Sequence, residues 1–289
     1  MTAVRDKVWL ITGAGRGMGA DFVRTALAAG DAVAAAGRNR TAVADALGDH
    51  EDLLVVELDV TSRADAEAAV AAAVERFGQI DVLVNNAGIS VKGFFEETTP
   101  EAVERQLATN LLGPMNVTRA VLPVMRKQRS GHIISISSGA GLAGFAFSSL
   151  YAASKFGLEG WMDALAKELD RFGIKTTVVN PGFFRTELLT ERSAFYADAA
   201  IDDYAKARAE QMTWWAAQNG RQRGDPAKLA TALVALAHGA TPPRRLIAGS
   251  DVIELAEQKI DELQQQIDAD RNLAASLAFQ DDNEGEGET

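Results

Sequence analysis

Val8-Trp9-Leu10-Ile11-Thr12-Gly13-Ala14-Gly15-Arg16-Gly17-Met18-Gly19 is the stretch whose reading decides the fold. An apolar run of strand length passes into a glycine-rich turn, and the turn opens into a helical pattern carried by Phe22, Val23 and Leu27. Unpaired N–H groups of a first helical turn and the positive end of the helix dipole point at one spot, which makes an anion site suited to a pyrophosphate. The spacing Gly13-x-x-x-Gly17-x-Gly19 departs from the G-x-G-x-x-G fingerprint, so the flanking strand and helix carry as much of the argument as the glycines do. A glycine turn needed only for tight packing is the competing reading.

Further β-type runs follow at 32–36, 53–58, 82–85, 132–137, 176–179 and 246–248, separated by helix-length, alanine-rich segments. Alternation of this kind predicts an α/β fold: a doubly wound, Rossmann-type parallel sheet of seven strands with helices on both faces. The strands read as continuous apolar stretches, as burial on both faces requires. Ligands of such sheets bind outside the C-terminal strand ends. The expected organisation is one Rossmann-type domain over 1–250 with a loop insertion at 183–219, a C-terminal helical extension over 251–280 and a disordered acidic tail over 281–289. The insertion carries Leu188, Leu189, Phe195, Tyr196, Met212, Trp214 and Trp215, and the tail holds five acids and no base.

The 289 residues are 47% apolar and 24% charged, enough to bury a full core. With 29 Lys plus Arg against 40 Asp plus Glu, the net charge of -11 opposes nucleic acid and anionic membranes as partners. There is no cysteine, and His50, His132 and His238 are scattered, so no metal site is expected. The apolar run 8–11 is too short for a signal peptide and no later run reaches membrane-spanning length, so a soluble, cytoplasmic protein is expected.

A fold that prefers NAD carries an acid after its second strand. Here the position reads Gly37-Arg38-Asn39, where Arg38, with Arg16, can pair a 2′-phosphate, so the charge logic favours NADP(H) over NAD(H). The next two strands end in Leu58-Asp59-Val60 and Asn85-Asn86-Ala87-Gly88, small and amide-bearing residues that let a ring approach. Tyr151-Ala152-Ala153-Ser154-Lys155 sets a phenol and an ammonium four apart on one helix face, about 6 Å from each other. A fixed cation there would raise the ionised fraction of a phenol whose ordinary pKa is about 10. Asn110 lies in the helical pattern Val103, Leu107, Leu111, Met115, and Pro114, four residues on, cannot donate to its carbonyl, which predicts a kink and a free oxygen.

With these pieces in order, residues from about Lys7 to Ala248 resemble the short-chain dehydrogenase/reductase family, and within it the compact NADP-type subgroup. The resemblance rests on Thr12 to Gly19, Asp59, Asn85 to Gly88, Asn110, Ser138, Tyr151 with Lys155, and Asn180-Pro181-Gly182 followed by Thr186. The segment 242–251 and the helical tail are similar, more weakly, to the hydroxysteroid-dehydrogenase-like branch, without implying a steroid. The resemblance implies that Tyr151 donates a proton in carbonyl reduction and accepts one in alcohol oxidation. Lys155 then binds the nicotinamide ribose and lowers the phenol pKa, Ser138 holds the substrate oxygen, with Ser135 and Ser137 as nearby competitors, and the Asn110 carbonyl holds a relay water. Backbone at Phe184, next to Pro181 and Gly182, and the Thr186 hydroxyl would hold the carboxamide, although an aliphatic residue usually stands where Phe184 does. Gly13, Gly15, Arg16, Gly17, Met18, Gly19, Arg38, Asn39, Asp59, Val60, Asn86, Ala87 and Gly88 complete the implied cofactor contacts. Pairing into a homo-oligomer, dimer or tetramer, through the helices starting near Glu101 and Tyr151 is implied as well.

Residues expected around the mouth are Ser90, Val91, Phe94, Phe95, Leu142, Phe145, Phe147 and the aromatic insertion, a lining with few fixed charges that favours a hydrophobic ketone, aldehyde or alcohol over an acid or phosphate. Trp214 and Trp215, being adjacent on a helix, are not expected to face one pocket together. Rival readings are a non-catalytic cofactor-sensing or scaffold protein, and an enoyl reductase, epimerase or dehydratase on the same scaffold.

Overall fold

Strand β1 (Val8–Thr12) is buried along its whole length, with Leu10 turned to one face of a sheet and Trp9 and Ile11 to the other, so one unbroken apolar run serves two cores. The computed structural model describes residues 6–186, 194–197 and 199–279. After β1 come α1 (Gly17–Ala28), β2 (Ala32–Gly37), α2 (Arg40–Leu47), β3 (Leu53–Glu57), α3 (Arg63–Phe77), β4 (Val82–Asn85) and β5 (Ser90–Lys92). The chain continues through α4 (Pro100–Leu107), α5 (Gly113–Gln128), β6 (Gly131–Ile136), α6 (Ser149–Leu169), β7 (Ile174–Pro181) and β8 (Ala194–Tyr196). It closes with α7 (Ala205–Gln218), α8 (Pro226–His238), β9 (Arg245–Ala248) and α9 (Ser250–Ser276).

The main sheet has the order β3-β2-β1-β4-β6-β7-β9, every neighbouring pair parallel. This is the seven-stranded doubly wound sheet that the alternating pattern predicts. Strand order reverses between β1 and β4, which opens the crevice where such sheets bind ligands. One face is covered by α3, α5 and α6 through Val70, Val117, Leu158 and Met162, the other by α1 and α8 through Phe22, Val23, Leu229 and Leu233. Local signals start the helices: Ser62, Thr99 and Asp225 accept from the N–H groups of Asp65, Ala102 and Ala227, the last two ahead of a proline at the first helical position.

Two features lie outside the repeating unit. Strands β5 and β8 form a separate parallel pair, Val91 opposite Phe195, which the short Ser90-Val91-Lys92 tract did not announce as a strand. Between α4 and α5, residues 108–112 form a single π turn in which the Gly113 N–H reaches back to Ala108 O. Pro114 offers no N–H to Asn110, so the expected kink is met by an i to i+5 register slip. Within the insertion, α7 follows β8, and Phe184 bridges to Gly224. Leu188, Leu189 and the tail 281–289 lie outside the described residues. Among the described residues no helix is long and apolar enough to cross a membrane, and no cluster of three metal-ligating groups forms.

Candidate functional site

The glycine turn sits at the C-terminal end of β1 against the end of β4. Gly13 has φ +66°, and a Cβ there would come within 2.9 Å of the Ala87 Cα; a Cβ on Gly19 would run into the Gly13 carbonyl. Gly17, also at positive φ, starts α1, and Gly15 packs on Val43 of α2. Thr12 and Asn86 clamp the turn: the Thr12 hydroxyl accepts from the N–H groups of Asn86 and Ala87, both at 3.0 Å, while Asn86 Nδ2 donates to the carbonyls of Thr12 at 2.9 Å and Gly13 at 3.2 Å. Asn86 therefore shapes the cradle with its amide. The first turn of α1 holds no acid, leaving its amide dipoles uncompensated by charge.

Arg16 and Arg38 are exposed beside this turn and past β2. Asn39 uses its side chain as the cap of α2, accepting from Ala42 N at 2.9 Å. Asp59 accepts from both the backbone and hydroxyl of Thr61, at 2.9 and 2.7 Å, and Val60 sends its side chain into the core while its carbonyl accepts from Asn116. Gly88 lies against Asn110. At the far side, a Cβ on Gly182 would meet the Asp251 carboxylate, the Phe184 ring packs over Gly224, and Thr186 comes to 3.9 Å from where a Gly17 Cβ would stand. The glycine turn, the end of β4 and Thr186 thus meet around one crevice.

At the next strand end the catalytic candidates meet. Ser138 follows β6 and lines the cavity beside Tyr151, its hydroxyl accepting from Ala140 N at 3.1 Å. Ser135 is excluded as a competitor: it is fully buried, donating to Met162 Sδ and accepting from Asn85. Ser137 faces the same cavity as Ser138. Lys155, one turn along α6, donates to the Ile136 carbonyl at 2.8 Å, its ammonium 5.6 Å from the Tyr151 ring centroid. Burial pushes the Lys155 amine down to about 8, opposed by the charge of Glu159. Burial raises the Tyr151 phenol, opposed by the Ser138 hydrogen bond. The expected lowering of the phenol by Lys155 is therefore not found, because desolvation outweighs it.

Asn110 is buried in the π turn and rivets the chain past β4, accepting from Ile89 N at 2.9 Å and donating to Ile89 O and to Ser154 Oγ at 3.0 and 3.2 Å. Gln106 adds a second rivet, Val91 N to Oε1 at 2.7 Å and Nε2 to Ile89 O at 3.0 Å. Glu159, two turns past Tyr151 on the same face, accepts from Asn180 Nδ2 at 2.6 Å and pairs with Arg245. Sequence reading missed Gln106 and Glu159, though the i, i+4, i+8 spacing of Tyr151, Lys155 and Glu159 was there to be seen.

A cavity of about 490 Å³ opens from Tyr151 and Ser138 towards α7 and the start of α9. Met18 and Thr186 line it on the crevice side, Ser90 and Phe145 among the expected mouth residues. The others point elsewhere: Val91 and Phe147 are buried, Phe94 stacks on Tyr204 at 4.7 Å, and Phe95 is exposed. Both Trp214 and Trp215 line the cavity, contrary to the expectation from helical spacing, because Phe183 packs against each, at 6.0 and 5.9 Å. The lining also holds a charge that the sequence reading did not foresee, the buried Lys92.

The family model described as short chain dehydrogenase matches residues 7–197. The crystal structure of a short-chain dehydrogenase from Streptomyces avermitilis is 34% identical with a TM-score of 0.85, over 94% of this chain and 98% of that one. An oxidoreductase of Botryotinia fuckeliana is 32% identical over 274 residues, 94% of this chain and 99% of the relative. The 3-ketodihydrosphingosine reductase of Bacteroides thetaiotaomicron is 35% identical over 248 residues, 85% of this chain and 89% of its own. Matches of this breadth run from the glycine turn to the last helix and agree with the sheet order found above: the chain belongs to the short-chain dehydrogenase family of oxidoreductases.

Proposed function

We propose that this oxidoreductase is NADP(H)-dependent and interconverts a hydrophobic ketone or aldehyde with its alcohol, Tyr151 acting as general acid in reduction and general base in oxidation. The carrying observation is that Ser138 and Tyr151 line one cavity together at the place where it meets the crevice. Two hydroxyls converging there bind one carbonyl oxygen, which Ser138 holds while Tyr151 delivers the proton. Lys155 and the Asn110 turn position the phenol from behind, and Glu159 keeps a carboxylate near the ammonium.

The residues present fit a dinucleotide: the glycine cradle has no room for side chains, the α1 N-terminus has no acid in its first turn, and Gly37-Arg38-Asn39 offers a base where an acid would repel a 2′-phosphate. The α1 N-terminus would hold the pyrophosphate, Arg38 with Arg16 the 2′-phosphate, and Thr186 and the Phe184 backbone the carboxamide. The nicotinamide supplies the hydride. Subunit pairing is assigned to α4 and α6, a face on which Phe156 and the adjacent Leu112 are exposed.

The test follows NADPH oxidation at neutral pH with a panel of hydrophobic ketones and aldehydes. Wild type should turn over, and Tyr151→Phe should lose roughly a hundredfold or more while still binding NADPH. Equal turnover by the two proteins removes Tyr151 from the mechanism.

A further inference from the structure

Lys92 is the least expected side chain in the cavity. It lies on β5, only 3% exposed, with its ammonium 2.9 Å from the centroid of the Trp215 ring, and no carboxylate pairs with it among the described residues. A buried cation without a counter-charge is costly, and burial pushes this amine down to about 7, a large departure for a lysine. Unmet polar atoms gather on the same walls. Both amide atoms of Gln222, 4% exposed, together with Ser137 Oγ and Trp215 Nε1, find no hydrogen-bond partner among the described residues. Among the described residues the one other charged lining group, Asp251, is engaged with Phe183 N at 2.8 Å. Phe145, Phe183, Trp214, Val252 and Leu255 supply an apolar stretch of the wall, with Gln211 and Ser148 as further uncharged polar lining.

We propose that Lys92 and Gln222 form a carboxylate-binding subsite, so that the substrates are hydrophobic oxo acids, and the corresponding hydroxy acids, rather than neutral ketones. An incoming carboxylate gives the ammonium its missing counter-ion and accepts from the Gln222 amide, while the apolar stem lies along the aromatic wall and the carbonyl reaches Ser138 and Tyr151. This reading departs from the sequence-based preference for neutral carbonyls over acids. The proposal rests on the carbonyl reading of Tyr151 for turnover but not for binding, and the two can fail separately.

The experiment uses full-length protein and a ladder of ω-oxo carboxylates from hexanoate to dodecanoate, each beside its methyl ester. For the best-fitting length, wild type should prefer acid to ester in kcat/KM by roughly tenfold to a hundredfold, the scale of one hydrogen-bonded charge contact. Lys92→Met should collapse that ratio to near unity and Gln222→Leu should reduce it; because each ratio is taken within one protein, altered folding does not mimic the effect. Direct binding is read by tryptophan fluorescence, since Trp215 lies under the ammonium: decanoate should bind wild type at least about tenfold more tightly than Lys92→Met, and decanol should not discriminate. Acid and ester used equally at every length, or decanoate binding indifferent to Lys92, overturns the subsite. Lys92-dependent decanoate binding without turnover of any carbonyl leaves the subsite standing and removes the carbonyl reading.

Discussion

Replacing Asn110 and Gln106, singly and together, tests how the strand beyond β4 is held over the active site. Ile89 N has one partner, Asn110 Oδ1, whereas Ile89 O has two, Asn110 Nδ2 and Gln106 Nε2. Val91 N depends on Gln106 alone. Asn110→Ala therefore orphans one buried N–H, about 1–3 kcal/mol, and removes the bond to Ser154, about 0.5–1.5 kcal/mol, for a loss of about 3 kcal/mol. Gln106→Ala orphans the Val91 N–H, at about 1–3 kcal/mol. In each single variant the Ile89 carbonyl keeps a donor. Only the double variant strands it, so the double should exceed the sum of the singles by about 1–2 kcal/mol. Urea unfolding read as midpoint shifts at constant slope measures all three. Strict additivity, or an Asn110→Ala loss below about 0.5 kcal/mol, would refute the riveting argument.

Arg38→Ala should weaken NADPH roughly tenfold to a hundredfold with little change for NADH, measured by titrating each cofactor; equal loss for both removes the 2′-phosphate assignment. His132, buried beside Thr177 at 2.8 Å, has its pKa lowered to about 4 by burial and by the charge of Lys7. The unfolded chain takes up that proton below about pH 6.5 and the folded protein only near 4, so stability falls as pH drops through this window, by about 3 kcal/mol in all. His132→Gln should lose that part of the acid slope in urea melts at stepped pH, and an unchanged slope means that the group titrates normally. Asp31→Asn should cost about 1–3 kcal/mol in the same melts, since the buried carboxylate oxygen accepts from Trp9 Nε1 and faces His238 Nε2 at 2.8 and 2.9 Å. A neutral outcome there would mean that the Trp9 bond alone suffices.

How far the sequence carried depended on the range of each interaction. All seven main strands were legible because each is a local apolar run, and the glycine turn because its conformation is set by its own residues. The π turn was half legible: Pro114 announced a break, but whether a helix kinks or slips register depends on what packs around it. Lys92 was hidden for a different reason. Ser90-Val91-Lys92-Gly93 reads as a polar loop, and the lysine becomes buried only through pairing with Ala194–Tyr196, a hundred residues on in rough terms, and through Trp215 lying over its amine. The same long-range assembly lets Trp214 and Trp215 share one cavity, since Phe183 stands between them.

The acidity of Tyr151 brings local spacing and burial into direct conflict. A full ammonium 5.6 Å away, at an effective dielectric of about 20, would favour the phenolate by about 3 kcal/mol, or roughly two pKa units. Burial acts against this attraction on both partners, pushing the Lys155 amine down to about 8 and the Tyr151 phenol up, so desolvation outweighs the pairing. The raised phenol makes Tyr151 a proton donor across the neutral range, which suits reduction. Oxidation needs the phenolate and so depends on conditions that hold Lys155 charged. Ultraviolet difference titration of tyrosinate, wild type minus Tyr151→Phe, should place the Tyr151 increment above pH of about 10. An increment between about pH 7 and 8 would mean that the ammonium governs the phenol after all, and that burial had been given too much weight.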